Sequence, residues 1–385
     1  MSRVHVVLVP GFFGFANLGD LAYFGHVHTY LHDAYVARGF EPILHVVRTH
    51  PTASLPRRAA RLLETLHIEV ADQAPIHLVG HSSGGLDCRL LLAPGVVLPT
   101  EYDVEAMAQR VTAVLCVSTP HRGTPVAAFF ATRLGANLLE LLSLGTIRAL
   151  RLGHLPLSAL LGLGAAYARL DNLGPNSALL DQLFRDLLDE FTPERRQAIT
   201  QFFTDVRSDQ GLLTQLMPDA METFEATTRD RPGVRYGSIA SRATPPSLGS
   251  WLTPGLDPTA HVSHLVYRAL HAAASDPDAC LPALASAAVE TLRAAYGTLP
   301  DPTDSDGVVP TLSQVHGELL HAAHGDHLDV IGHFGDTTLK PPHFDWLVTG
   351  SGFDLARFEA LWERGADYLT GARRASGARS AGSPP

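Results

Sequence analysis

Short apolar runs alternate with helical repeats along the first third of the chain. Residues 4–9 read as a buried-type strand that stops at Pro10-Gly11. A helical stretch over 29–38 ends at Gly39, and a strand follows over 42–49. Residues 55–69 repeat Leu62, Leu63 and Leu66 at helical spacing, with Arg57, Arg58 and Arg61 on the opposite face. A third apolar run, 75–79, passes through a Gly-rich turn into a helix over 86–92, and 111–117 is a continuous strand ending at Ser118-Thr119-Pro120. This β-α-β-α alternation predicts an α/β domain, a mostly parallel central sheet with helices on both faces. Ligands of such sheets lie at the carboxyl ends of the strands. Gly11, Ser82 and Ser118, each just past a strand end, are therefore expected on one rim.

After Pro125 the pattern changes. Residues 127–170 are almost all Leu, Ala and Gly, with sparse charges at Arg133, Glu140, Arg148 and Arg151, and 177–206 is a second, more charged helical stretch. Strand character returns over 234–239. The expected organisation is a core of residues 1–124 and 231–370, interrupted by a helical insertion over 125–230. A second insertion over 245–299 is Pro-rich first and helical over 283–296. Residues 319–323 read as the last strand, 353–368 as a closing amphipathic helix, and 371–385, rich in Gly, Ser, Ala, Arg and Pro, as a disordered tail. The apolar half of the first insertion cannot face water on all sides. It reads either as a permanent helical layer or as a lid over the Ser82 rim that meets a lipid interface when open.

Composition narrows the function classes. A hydrophobic content of 45% is ample for a large core, and a net charge of −10 excludes the basic surface of a nucleic-acid-binding protein. Three cysteines supply no disulfide framework and no metal-ligand spacing, and Cys88 and Cys116 read as buried thiols. No uncharged apolar run reaches the roughly 18 residues of a membrane span. Met1-Ser2-Arg3 leads straight into a strand and leaves no room for a signal peptide, so a cytoplasmic location is expected, or a secreted one if the N-terminus was trimmed.

The chemistry centres on Val79-Gly80-His81-Ser82-Ser83-Gly84-Gly85. A G-x-S-x-G pattern placed strand-to-turn-to-helix is a nucleophile elbow, with Ser82 at the head of the following helix. The bland alternative is an ordinary Gly-rich βα turn. A serine nucleophile needs a histidine base and an orienting carboxylate, and in this architecture they follow in the order Ser, Asp or Glu, His. Asp306, before Gly307 and an apolar pair, fits a carboxylate presented by a tight turn; Asp304 and Asp301 are its rivals. Among 20 histidines, His327 lies in a polar turn just past the last strand, with His324 as the alternative and His121 expected to line the pocket or support it. An oxyanion hole needs two backbone donors: the N–H of Ser83, after the nucleophile, and that of Phe12, after the first central strand. Phe12 could equally belong to a merely apolar loop.

These segments together resemble the bacterial triacylglycerol lipases of the Pseudomonas and Burkholderia type. Leu8-Val9-Pro10-Gly11-Phe12-Phe13-Gly14-Phe15 is similar to their oxyanion segment, although a His usually stands where this chain has Pro10. Gly80-His81-Ser82-Ser83-Gly84-Gly85 resembles their elbow, Ser118-Thr119-Pro120-His121-Arg122-Gly123-Thr124 their T-P-H-x-G segment, Ser305-Asp306-Gly307 their acid motif, and Asp326-His327-Leu328-Asp329 their histidine segment. The resemblance implies an α/β-hydrolase fold with a helical lid and a Ser82–His327–Asp306 triad. Those lipases often bind calcium near the catalytic His, with one ligand two residues after it, which is Asp329 here; a second acidic ligand upstream of the catalytic Asp is not evident. Asp329 could instead make a structural hydrogen bond.

The expected function is a serine ester hydrolase, lipase or carboxylesterase, that takes an ester, lipid or polymer substrate and requires no cofactor. Competing readings are an acyltransferase or polyester depolymerase on the same triad and, from a different class, a non-catalytic binding module. A dehalogenase would need an Asp where Ser82 stands.

Overall fold

In a computed structural model, residues 1–12, 23–131, 204, 209–247, 258–277, 279, 282–339, 342–343 and 345–372 are described. Six strands, β1 (Ser2–Val9), β2 (Phe40–Val46), β3 (Ile76–His81), β4 (Val111–Val117), β5 (Arg235–Arg242) and β6 (Glu318–His324), form one sheet in the order β2-β1-β3-β4-β5-β6. Every pairing is parallel. The central strands read as unbroken apolar runs because both faces of the sheet are covered. β3 is buried along its whole length.

The helices α1 (Gly25–Ala37), α2 (Leu55–Glu69), α3 (Ser83–Leu92), α4 (Val104–Ala108), α5 (Pro125–Ala131), α6 (Gly211–Gln215), α7 (Pro218–Thr227), α8 (Pro258–Ala274), α9 (Ser286–Tyr296) and α10 (Leu355–Thr370) flank this sheet or the loops above it. On one face, Val27 and Leu31 of α1 and Leu361, Trp362, Ala366 and Leu369 of α10 pack on Val6, Leu8, Leu115 and Ile239. On the other, Leu62, Leu63 and Leu66 of α2 and Cys88 and Leu91 of α3 pack on Val7, Leu78, Val114 and Cys116. α10 presents Phe358, Leu361, Trp362, Gly365, Ala366 and Leu369 at helical spacing. The Asp354 side chain accepts from the Arg357 N–H at its start, and Gly371 ends it in the left-handed conformation. No helix among the described residues is long and apolar enough to cross a membrane.

Several expectations shift. α1 begins earlier than the spacing predicts, and α4 is an element the pattern did not signal. In the second insertion, α8 forms ahead of the helix expected over 283–296, within the part read as Pro-rich. Residues 132–203, the apolar part of the expected lid, and 373–385, the expected tail, lie outside the described residues. Arg58 is the sharpest correction. The pattern sets it opposite Leu62, Leu63 and Leu66, yet it stands four residues before Leu62, on the same face, and is fully buried, with its guanidinium on Asp87 of α3 at 2.7 Å. The sheet order reverses between β1 and β3, so the chain leaves their carboxyl ends toward opposite faces, α1 on one and α3 on the other, and ligands of such sheets bind at that switch point.

Candidate active site

Ser82 stands at that switch point, between β3 and α3. Its backbone has φ 55° and ψ −134°, a combination that costs an L residue roughly 1–3 kcal/mol. Two glycines make the turn sterically feasible. A Cβ at Gly84 would run into the Val9 carbonyl, and one at Gly11 would come within 2.5 Å of the Ser82 Cβ. The loop after β1 therefore lies directly against the serine, and the expected convergence of Gly11 with the elbow holds. Ser83 opens α3, whose first N–H groups have no partner within the helix. The ring of Phe12 packs over Leu55, Leu86 and Ala127 and lies parallel to that of Phe130 at 6.4 Å.

Asp306 and His327 come together at the ends of β5 and β6. His327 Nδ1 donates to Asp306 Oδ2 at 2.7 Å, and the His327 N–H donates to the Asp306 carbonyl at 3.0 Å. Asp306 Oδ1 accepts the N–H groups of Val308 and Val309 at 3.0 and 2.8 Å. Oδ2 also accepts from the Ser241 hydroxyl at 3.0 Å and the Gln314 amide at 3.2 Å. Asp306 is fully buried, so these five donors replace the water its charge would otherwise require. Ser118, the third residue of the expected rim, reaches the same network through Ser241, Oγ to Oγ, at 2.7 Å. Neither Ser241 nor Gln314 was singled out by the sequence, because a lone Ser in a strand and a lone Gln in a 3₁₀ turn carry no signal.

The rival residues go elsewhere. Asp304 pairs with Arg242 at 3.2 Å and Asp301 caps its own turn through Thr303. His324 lies edge-on to Tyr296 at 5.0 Å. His121 is buried and stacks on His316 at 4.7 Å. Its Nδ1 accepts from Arg89 at 3.1 Å, and Arg89 also donates to Glu225, so a built-in cation organises that cluster. Burial pushes the His121 pKa well below the usual imidazole range.

Behind His327, the carboxylates of Asp326, Asp329 and Asp345 approach within 4.8 Å of one another. Asp326 Oδ1 accepts from the N–H groups of Leu328 and Asp329, and Asp329 Oδ2 accepts from the Asp326 N–H and the Ser351 hydroxyl. Asp326 Oδ2 is buried without a hydrogen-bond partner. Burial pushes Asp329 up to about 7 and Asp326 well above the carboxylate range, with Asp329 adding to the latter. Three acids with one orphaned buried oxygen fit a hard cation such as calcium, which takes only oxygen ligands. Asp329 thus has acidic neighbours on both sides of the histidine, Asp326 just before it and Asp345 after it, and neither lies upstream of Asp306.

No family model matches this sequence, and no curated protein does. Among solved structures, lipase 1 from Pelosinus fermentans is similar over 96% of this chain and 99% of its own, at 17% identity and a TM-score of 0.51. A metagenomic carboxyl esterase (19% identity, 96% of this chain, 76% of that one, TM-score 0.48) and Staphylococcus hyicus lipase (15%, 96%, 95%, 0.49) also match. With the six-stranded parallel sheet and its flanking helices, the Pelosinus match shows that this chain has the α/β-hydrolase fold.

Proposed function

We propose that the chain is a serine ester hydrolase, a lipase or carboxylesterase, with Ser82, His327 and Asp306 as its triad. The observation that carries this reading is the 2.7 Å bond from His327 Nδ1 to a buried Asp306, with the His327 carbonyl bonded to His81, the residue before a serine held at φ 55°. Because a carboxylate only accepts, Nδ1 carries the ring proton and Nε2 is left as the base. Nε2 takes the Ser82 proton as the hydroxyl attacks the ester carbonyl. The same nitrogen then gives that proton to the leaving alcohol, and water hydrolyses the acyl-enzyme by the reverse route. Asp306 holds the tautomer and stabilises the imidazolium. The N–H groups of Phe12 and Ser83 hold the oxyanion, the second assisted by its place at the head of α3.

Calcium belongs to the same proposal. Asp326, Asp329 and Asp345 would hold it, and its charge would fix the turn that carries His327. No proton or substrate atom passes through it.

Ser82→Ala is the test. Hydrolysis of p-nitrophenyl butyrate should fall about 10⁴- to 10⁶-fold with folding intact, because nucleophile and base act as a unit. Labelling by an organophosphonate should stop in the same variant. Retention of more than about a tenth of the activity would remove Ser82 from the mechanism. Chain-length profiles from acetate to palmitate then separate lipase from short-chain esterase.

A further inference from the structure

Tyr23 and His81 are buried polar residues for which the proposed chemistry has no direct use. Their hydrogen bonds admit one direction only. The His327 carbonyl can only accept, so His81 Nε2–H donates to it at 2.8 Å. In a neutral ring Nδ1 must then accept, and it takes the Tyr23 hydroxyl proton at 2.6 Å. The Tyr23 oxygen accepts in turn from the Gly11 N–H at 3.3 Å. Burial keeps His81 neutral, well below its usual range.

The ends of this relay are informative. One is the backbone of His327. The other is the peptide plane between Pro10 and Gly11, immediately before Phe12. That plane is clamped on both edges: Arg58 donates to the Pro10 carbonyl at 2.8 Å, and the Gly11 N–H goes to Tyr23. Tyr23 is itself anchored, since its carbonyl accepts from His333 Nε2 at 3.1 Å, a residue of the turn that follows His327.

We propose that Tyr23, acting through His81, is a positioning residue that sets the oxyanion loop and the catalytic histidine in register with each other. This rests on the hydrolase reading above. The relay fixes two groups that must meet one transition state from opposite sides. Its loss should therefore lower kcat and leave ground-state binding alone.

The test is Tyr23→Phe, which removes one oxygen and leaves the ring packing in place. Competent sites are counted by titration with a p-nitrophenyl phosphonate, so misfolded protein drops out of the comparison. Per titrated site, kcat on p-nitrophenyl butyrate should fall about 10- to 100-fold with KM within about twofold of wild type. A purely structural tyrosine would lower the melting temperature and the titratable fraction but leave per-site turnover unchanged, and that result overturns the proposal.

His81→Gln supplies the second arm. It should cost a similar per-site factor, and Tyr23→Phe added to it should cost less than about twofold more, because both break one relay. Losses that multiply in full would show that Tyr23 does not act through His81. If the wild type and Ser82→Ala hydrolyse the ester alike, the hydrolase reading itself fails. If the wild type is active and Tyr23→Phe matches it, the relay alone does.

Discussion

Two buried charge clusters flank the candidate site, and they solve the same problem differently. Beneath the oxyanion loop, Asp87 meets Arg58, whose guanidinium also reaches the carbonyls of Pro10 and His50. Behind the histidine turn, Asp326 and Asp329 take hydrogen bonds from backbone N–H groups and the Ser351 hydroxyl, with Asp345 close by and Arg357 acting on Asp329 through its field alone. Among the described residues no arginine or lysine pairs with them. Burial raises carboxylates in both places, Asp87 to about 6 against the pull of Arg58 and Asp329 to about 7. The first cluster has its counter-charge in the sequence. For the second, the proposed calcium would supply it. The loop beside the nucleophile is thus stabilised by the chain alone, whereas the calcium proposal makes the turn carrying the base answer to an ion.

The largest expected effect breaks the self-sufficient side. Arg58→Met strands the Asp87 carboxylate in an apolar interior and should cost about 3–5 kcal/mol in urea unfolding, as for other halved buried ion pairs. Adding Asp87→Leu removes the stranded charge and should recover most of that loss. A double variant no more stable than the single one would mean that Arg58 stabilises through its carbonyl contacts, not through the ion pair.

The next effect sharpens the open side. Calcium at about a hundred times its dissociation constant should add about 2.7 kcal/mol to the stability of EDTA-stripped protein. The gain should vanish in Asp329→Asn and be absent for sodium at equal ionic strength. A melting temperature indifferent to calcium and EDTA would leave these acids as a hydrogen-bonded turn.

Asp345 provides the smallest expected effect. Unlike its two neighbours it is exposed. Asp345→Asn should change the stability of stripped protein by no more than about 0.5 kcal/mol, as surface substitutions do, while weakening the response to calcium. A large loss without calcium would place Asp345 in the fold itself and outside any ion site.

Much of the site was legible because its signals are local. An elbow needs glycines at fixed offsets from a serine, and Gly80, Ser82 and Gly84 state that within five residues. Asp306 was singled out over Asp304 and Asp301 by the Gly307 that follows it, and the structure brings Asp306, not its rivals, to His327. Arg58 is the residue the pattern set on the wrong face. It stands three residues after Leu55 and four before Leu62, so helical spacing puts it on their face, and there α3 covers it and supplies Asp87. The resemblance implies an acidic partner for Asp329 upstream of Asp306, whereas the carboxylates that stand near it are those of Asp326 and Asp345.

By itself the sequence determined the strands, the main flanking helices, the parallel α/β class and the order of the chemistry-bearing turns. Those follow from periods of 2 and 3.6 residues and from glycine and proline, which act within a few positions of the chain. Only the tertiary structure decided that Arg58 is a buried counter-ion, that Ser241 and Gln314 hold Asp306, and that Tyr23 and His81 bind the two halves of the site together. His81 and His327 stand 246 residues apart. They meet because the ends of the parallel strands open onto one rim. No periodicity within any segment records that meeting, since the hydrogen bond between them forms only once the sheet has assembled.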